Sequence, residues 1–305
     1  MVRVLLFIII IAVALSGCAA AEEDPLPKPQ DIEASDCDDP GPAAAIIDEV
    51  LARFQPDLKE IAGIEEIIFC KDLKFRDVPV PAAAAQKEGR TAIYIDVRAP
   101  LKIDVSFTHE LFHAIEFHNP LDAEAWAKIN PYENYPFDTS VRGDIFYYKP
   151  NMTPAFEPGF VSDYARFSGK EDRAELFTIL YSDREIRPKE RAALLSDRFL
   201  GEKIEFLKTY LENAGFERGT KDNLFVETNY VCGVYKLVKP ELARTGPSES
   251  YPSANLKAGQ VLADSGFERD GIKMLFDCDA GFSRIYAPLS ALEYLDTTTL
   301  CVFPR

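Results

Sequence analysis

His109, Glu110, Leu111, Phe112 and His113 place two imidazoles four residues apart, with a carboxylate directly after the first. On an α-helix, positions i and i+4 share a face about 6 Å apart along the axis, so both rings can reach one ion. Two neutral imidazoles at this spacing suit a tetrahedral Zn²⁺, and the intervening glutamate of such an HExxH motif can take a proton from an attacking water. The chain has 3 histidines, all between His109 and His118. Histidines serving general purposes would be scattered. His109 and His113 are therefore expected to bind metal, with Glu110 as general base.

A third ligand must come from elsewhere. The pattern HExxHxxGxxH would need Gly and His where this chain has Glu116 and Asn119. His118 comes one residue early, about 100° away around the helix. It reads as a polar surface residue or a cleft liner. Glu171 and Glu175, again at i and i+4, offer two carboxylates on one helical face. The first could bind zinc while the second orients a ligand histidine through its free N–H. Helix surfaces carry many such pairs, so this one gains meaning only beside HExxH.

The segment Gly159 to Ala165, followed by Glu171 to Phe177, resembles the second half of the active site of lethal-factor-like gluzincins, a family of zinc metallopeptidases. The resemblance covers roughly residues 90 to 182. It implies that Glu171 is the third ligand of a single Zn²⁺. It also implies that Tyr164, seven residues earlier, hydrogen-bonds a developing oxyanion, and that Glu175 supports a ligand histidine. Leu111 and Phe112 depart from the common HEFGH form but leave ligation intact. Trp126 and the Asn130-Pro131 pair resemble segments that follow HExxH in related bacterial lipoproteins.

These residues imply endopeptidase chemistry on a peptide or protein substrate. Zinc would lower the pKa of its water towards about 7, and Glu110 would accept the proton. The strand expected at 92–97 could pair with extended substrate backbone, as edge strands do. An alternative is a non-catalytic zinc-containing lipoprotein that binds cell-wall or protein partners. Glu110 and Tyr164 favour hydrolysis, since binding needs neither.

The N-terminus gives the location. Arg3 precedes an apolar run from Val4 to Leu15, right for an export signal and short for a membrane span. Leu15-Ser16-Gly17-Cys18 then resembles the bacterial lipobox, which implies lipidation of Cys18. Residues 1–18 are expected to be a lipoprotein signal peptide, and the mature chain to be extracytoplasmic and lipid-anchored, at the outer membrane or cell surface. Residues 19–41, rich in acid and Pro, read as a disordered tether. Of 6 cysteines, 5 remain beyond Cys18. In an oxidising compartment they allow at most two bridges and leave one thiol over.

The positioning elements read as α+β. A zincin-like catalytic domain is expected over 42–215, with helices near 43–54, 106–117, 170–180 and 188–213, the last stopped by Gly215. Strands are expected at 67–69 and 92–97. Residues 121–160, rich in aromatics and Pro, suit a structured excursion walling a cleft. Residues 216–305 read as a small β-barrel-like domain. Arg244 to Ser248 and Leu256 to Gln260 resemble the first half of a bacterial SH3-like domain, with Tyr286 to Leu295 as its closing strand. That resemblance implies cell-wall peptides as partners. A net charge of -16 repels phosphate backbones and argues against nucleic acid.

Overall fold

The computed structural model describes residues 27–37, 39–98, 103–130, 157–183, 186, 188–217, 228–278 and 283–303. The expected signal segment with Cys18, and most of the aromatic excursion, lie outside the described residues. The fold is mixed α and β with a curled half-barrel sheet, in keeping with the α+β expectation. Among the described residues, no helix is long and apolar enough to cross a membrane.

The first sheet contains β1 (Ile32–Ser35), β2 (Ile64–Phe75), β3 (Val78–Pro79), β4 (Ala82–Lys87) and β5 (Arg90–Asp96). Its order is β1-β2-β5-β4, with β3 also on β2. Only β2 and β5 run parallel; the other pairs are antiparallel. The expected strand at 92–97 is thus internal, and the free edge belongs to β4. The cause is the tight turn at Glu88-Gly89, both at positive φ, which folds β4 back along β5 in the manner of a two-residue hairpin.

The tether expectation also needs correcting. Residues 32–35 form β1, paired antiparallel to β2 with Ile32 opposite Phe75. Cys37 is disulfide-bonded to Cys70, which ties this segment to the sheet. Acidic, Pro-rich composition predicts disorder only where nothing pairs with the backbone. Cys278 is disulfide-bonded as well, and Cys232 is a free, buried thiol that burial pushes up to about 11.

The helices are α1 (Ala43–Leu51), α2 (Leu58–Ile61), α3 (Ile103–His118), α4 (Ala123–Ala127), α5 (Gly169–Tyr181), α6 (Pro188–Leu195) and α7 (Arg198–Asn213). The single helix expected over 188–213 is broken in two. Asp197 is the reason: its carboxylate accepts the Phe199 and Leu200 N–H groups and starts α7 afresh. Helix α3 is buried on nearly every side, with Phe107, Leu111, Phe112 and Ile115 at 0% exposure. It packs on β4, β5, α1 and α5, and its buried polar residues His109, Glu110, His113 and Glu116 face partners rather than water.

The second sheet contains β6 (Thr228–Leu237), β7 (Val261–Arg269), β8 (Ile272–Asp277), β9 (Ser283–Pro288) and β10 (Leu292–Phe303). It is antiparallel throughout, in the order β10-β6-β7-β8-β9. The segment expected as one closing strand, Tyr286 to Leu295, spans the end of β9, a 3-10 turn (Leu289–Ala291) and the start of β10. Ala192 and Ala193 of α6 share a buried cluster with Cys232, Ala263, Met274, Phe276 and Tyr286, so the second sheet packs on the helices through α6.

Charged groups are buried between the helices. Lys203 of α7 and Asp172 of α5 are both fully buried, 2.6 Å apart. Asp172 also accepts the Trp126 indole N–H at 2.8 Å, and Lys203 donates to the Gly159 carbonyl at 2.6 Å. Burial pushes the Asp172 carboxyl up and the Lys203 ammonium down, each opposed by the other's charge. Removing one member of such a pair strands the other in a low dielectric. Lys203→Ala should cost about 3–5 kcal/mol, read as a lower urea midpoint with unchanged m-value.

Candidate metal centre

The expected ligands converge. Among the described residues, His109, His113 and Glu171 form one group whose ligand atoms all lie within 4.8 Å of one another. His109 Nε2 is 2.9 Å from Glu171 Oε2 and 3.2 Å from His113 Nε2, and His113 Nε2 is 3.6 Å from the same oxygen. Tetrahedral zinc with bonds of about 2.0–2.1 Å holds its ligand atoms roughly 3.3 Å apart. The three separations bracket that value, so the donor set fits the ion.

Each of the three side chains is aimed by its element. His109 and His113 share a face of α3, ring centroids 4.9 Å apart, as i and i+4 require. Glu171 lies in the first turn of α5, which starts at Ser168: its side chain accepts the Glu171 N–H at 3.2 Å. Glu175, one turn further, holds His109 from the other side, Oε1 to Nδ1 at 3.0 Å. With Nδ1 engaged, His109 Nε2 is left to face the site. His113 is oriented by stacking on Phe117, centroids 6.1 Å apart.

Burial and crowded charge shift the titration of these groups. Glu110, Glu171 and Glu175 all act on Tyr164, and burial followed by their negative charge raises its phenol well above the ordinary value. Tyr164 therefore remains a neutral O–H donor. Burial alone would lower His109, but its contacts with Glu171 and Glu175 prevail and hold it well above the usual imidazole range. Burial also favours the neutral form of Glu171, yet the His113 and His109 rings pull its pKa below the usual range. Glu110 is raised, chiefly by burial, against the pull of His113 and His109.

Glu110 points to the edge strand, where its Oε2 accepts the Ala84 N–H at 2.7 Å. Tyr164 opens a 3-10 turn (Tyr164–Arg166), its ring 6.0 Å from that of His109. His118 is exposed at the end of α3, beside Gly63 and away from the metal group. A cleft opens over the three ligands, lined also by Glu110, Tyr164, Pro27, Val80, Phe117 and Phe167.

No family model and no curated protein matches this chain. One solved structure that resembles it is a protein from Bacteroides caccae ATCC 43185, provisionally named a zinc-binding metallo-peptidase. It is 15% identical, with a TM-score of 0.34, over 59% of this chain and 72% of that one.

One participant lies within the Gly159 to Ala165 segment but was given no role there. Ser162 donates its hydroxyl to Glu175 Oε2 at 2.6 Å and accepts the Ala165 N–H at 3.0 Å. A single buried hydroxyl thus fixes the carboxylate behind His109 and the turn carrying Tyr164. The only sequence signal was its place two residues before Tyr164.

Two outcomes follow from this geometry. Ser162→Ala should weaken zinc binding by roughly tenfold, with Ser162→Thr restoring most of it, in competition with a chromophoric chelator. The second concerns pH. In the metal-free chain the raised His109 pKa gives stability that is full below the unfolded value of about 6.5 and is lost as pH rises through the folded value. The depressed Glu171 pKa gives stability that is present above the ordinary carboxylate value and lost as pH falls through the lower folded one. Zinc needs neutral rings, so the rise in Tm at saturating zinc should be small near pH 5.5 and grow towards about pH 8. Equal increments at both pH values in calorimetry would contradict this.

Proposed function

We propose that the chain is a zinc-dependent peptidase of the gluzincin type, with His109, His113 and Glu171 holding one Zn²⁺. The observation that carries this reading is the Glu171 carboxylate standing 2.9 Å from His109 and 3.6 Å from His113. Zinc bound there would act as a Lewis acid and activate water. Glu110, raised in pKa by burial, is suited to take the proton as that water adds to a peptide carbonyl, and to pass it to the leaving amine. Tyr164 keeps its proton and donates a hydrogen bond to the developing oxyanion. Glu175 holds the His109 tautomer throughout. The free edge of β4 lies along the same cleft, so an extended peptide can pair with it.

We further propose that the chain works outside the cytoplasm, anchored by lipid on Cys18. The Cys37–Cys70 bridge and the bridged Cys278 suit an oxidising compartment. For the second sheet we retain the SH3-like reading. Five antiparallel strands in the order β10-β6-β7-β8-β9, with a 3-10 turn before the last, support it. Cell-wall peptides remain the proposed partner of that unit, though fold alone does not fix a ligand.

Glu110→Gln should bind zinc as wild type does, yet lose turnover of a quenched peptide by about 10²–10⁴-fold or more. Glu171→Ala should lose the metal itself. Full turnover by the first variant, or unchanged zinc content in the second, would remove the mechanism.

A further inference from the structure

The free edge of β4 is not open along its whole length. Antiparallel pairing places Lys87 opposite Arg90 and Ala85 opposite Ala92, which turns the N–H groups of Ala84 and Gln86 to the outer side. The Ala84 N–H meets Glu110 at 2.7 Å. The Gln86 N–H is taken by the Pro27 carbonyl at 2.9 Å. Pro27 also lines the cleft. Two residues along a strand span about 6.6–6.8 Å, so the track is occupied about one dipeptide beyond the general base.

The segment that does this is held in several ways. Lys28 N–H donates to Asp31 Oδ2 at 3.0 Å, Asp31 N–H to the Lys28 carbonyl at 2.8 Å, and Arg76 N–H to the Asp31 carbonyl at 2.8 Å. Asp31 also faces the Arg76 guanidinium at 3.8 Å. Pairing of β1 with β2 and the Cys37–Cys70 bridge follow directly. A segment tied at so many points is a wall, not a removable plug.

Building on the peptidase reading, we infer that residues 27–31 form a fixed stop at one end of the substrate track. The substrates are then peptides presenting a free end, with about two or three residues between the scissile bond and the stop. This narrows the endopeptidase expectation to cleavage close to one chain end.

The test uses the full zinc-loaded chain and quenched peptides with one scissile bond, lengthened by Gly and Ser on one side and then on the other. kcat/KM should drop about tenfold or more when the third or fourth residue is added on one side only, as pairing to Gln86 is blocked. Asp31→Ala, which removes the side-chain acceptor of the Lys28 N–H and the partner of the Arg76 guanidinium, should loosen Pro27 enough to recover about fivefold or more of the lost rate on long peptides and leave short ones unchanged. It should also turn slow hydrogen exchange at the Gln86 amide into fast exchange. Indifference to length on both sides overturns the stop, whatever the variant does. So does faster Gln86 exchange without rescue of long peptides. If no peptide of any length is hydrolysed, the peptidase reading itself falls, and the stop with it.

Discussion

Three successive residues in the first turns of α5 are each committed to a different neighbour. Glu171 reaches His109 of α3, Asp172 reaches Trp126 of α4 and Lys203 of α7, and Arg173 pairs with Glu116 of α3 at 2.6 Å. Successive helix residues point about 100° apart, so these partners clamp α5 from several directions. Rotation of α5 about its axis would break all of them together. Since Asp172 and Arg173 are almost wholly buried, none could be compensated by water. The metal group therefore inherits its geometry from a rotationally locked helix rather than from contacts between its own members.

That lock makes an electrostatic problem local. Glu110, Glu171 and Glu175 crowd two imidazoles in a buried site, and the pKa directions show the strain: histidine pulled towards its charged form, Glu110 and Tyr164 pushed towards their neutral ones. A proton on His109 relieves part of this, and a divalent cation would relieve more while satisfying all three donors. Burial, and after it the same negative charge, keeps Tyr164 protonated, which is the state an oxyanion donor needs. Burial and charge together thus favour a cation between these side chains and keep the Tyr164 proton in place.

How much of this could be read beforehand depended on whether the signal was local. The i, i+4 spacings of His109 with His113 and of Glu171 with Glu175 are properties of a single helix, and α3 and α5 formed where the pattern put them. What failed was pairing between distant segments. The strand at 92–97 shows good alternation, but nothing in its residues tells an internal strand from an edge. Residues 32–35 look solvated until β2 offers them an edge. Lys203 and Arg173 look like surface charges, because burial of a charge is legible only once its partner is known. Ser162 and Asp197 are ordinary polar residues in sequence, and each serves as a turn or helix starter whose second hydrogen bond is long-range.

The second sheet supports the site whether or not it binds a ligand. Arg269, at the end of β7, reaches Glu157 at 2.7 Å and Asp163 at 3.3 Å, and Asp163 directly precedes Tyr164. Arg284 of β9 donates to the Ala193 carbonyl and faces Asp197 at 3.2 Å. Asp197 in turn accepts the Gly159 N–H at 2.6 Å, at the head of the segment leading to Ser162 and Tyr164. Two arginines from one sheet thus hold both ends of the segment that carries Tyr164. Exposed ion pairs contribute little alone, but the Arg284 pair is buried and acts through a carboxylate that also starts α7, the helix supplying Lys203. The second unit is therefore tied by ion pairs and hydrogen bonds to the segment carrying Tyr164 and to the helix that holds α5.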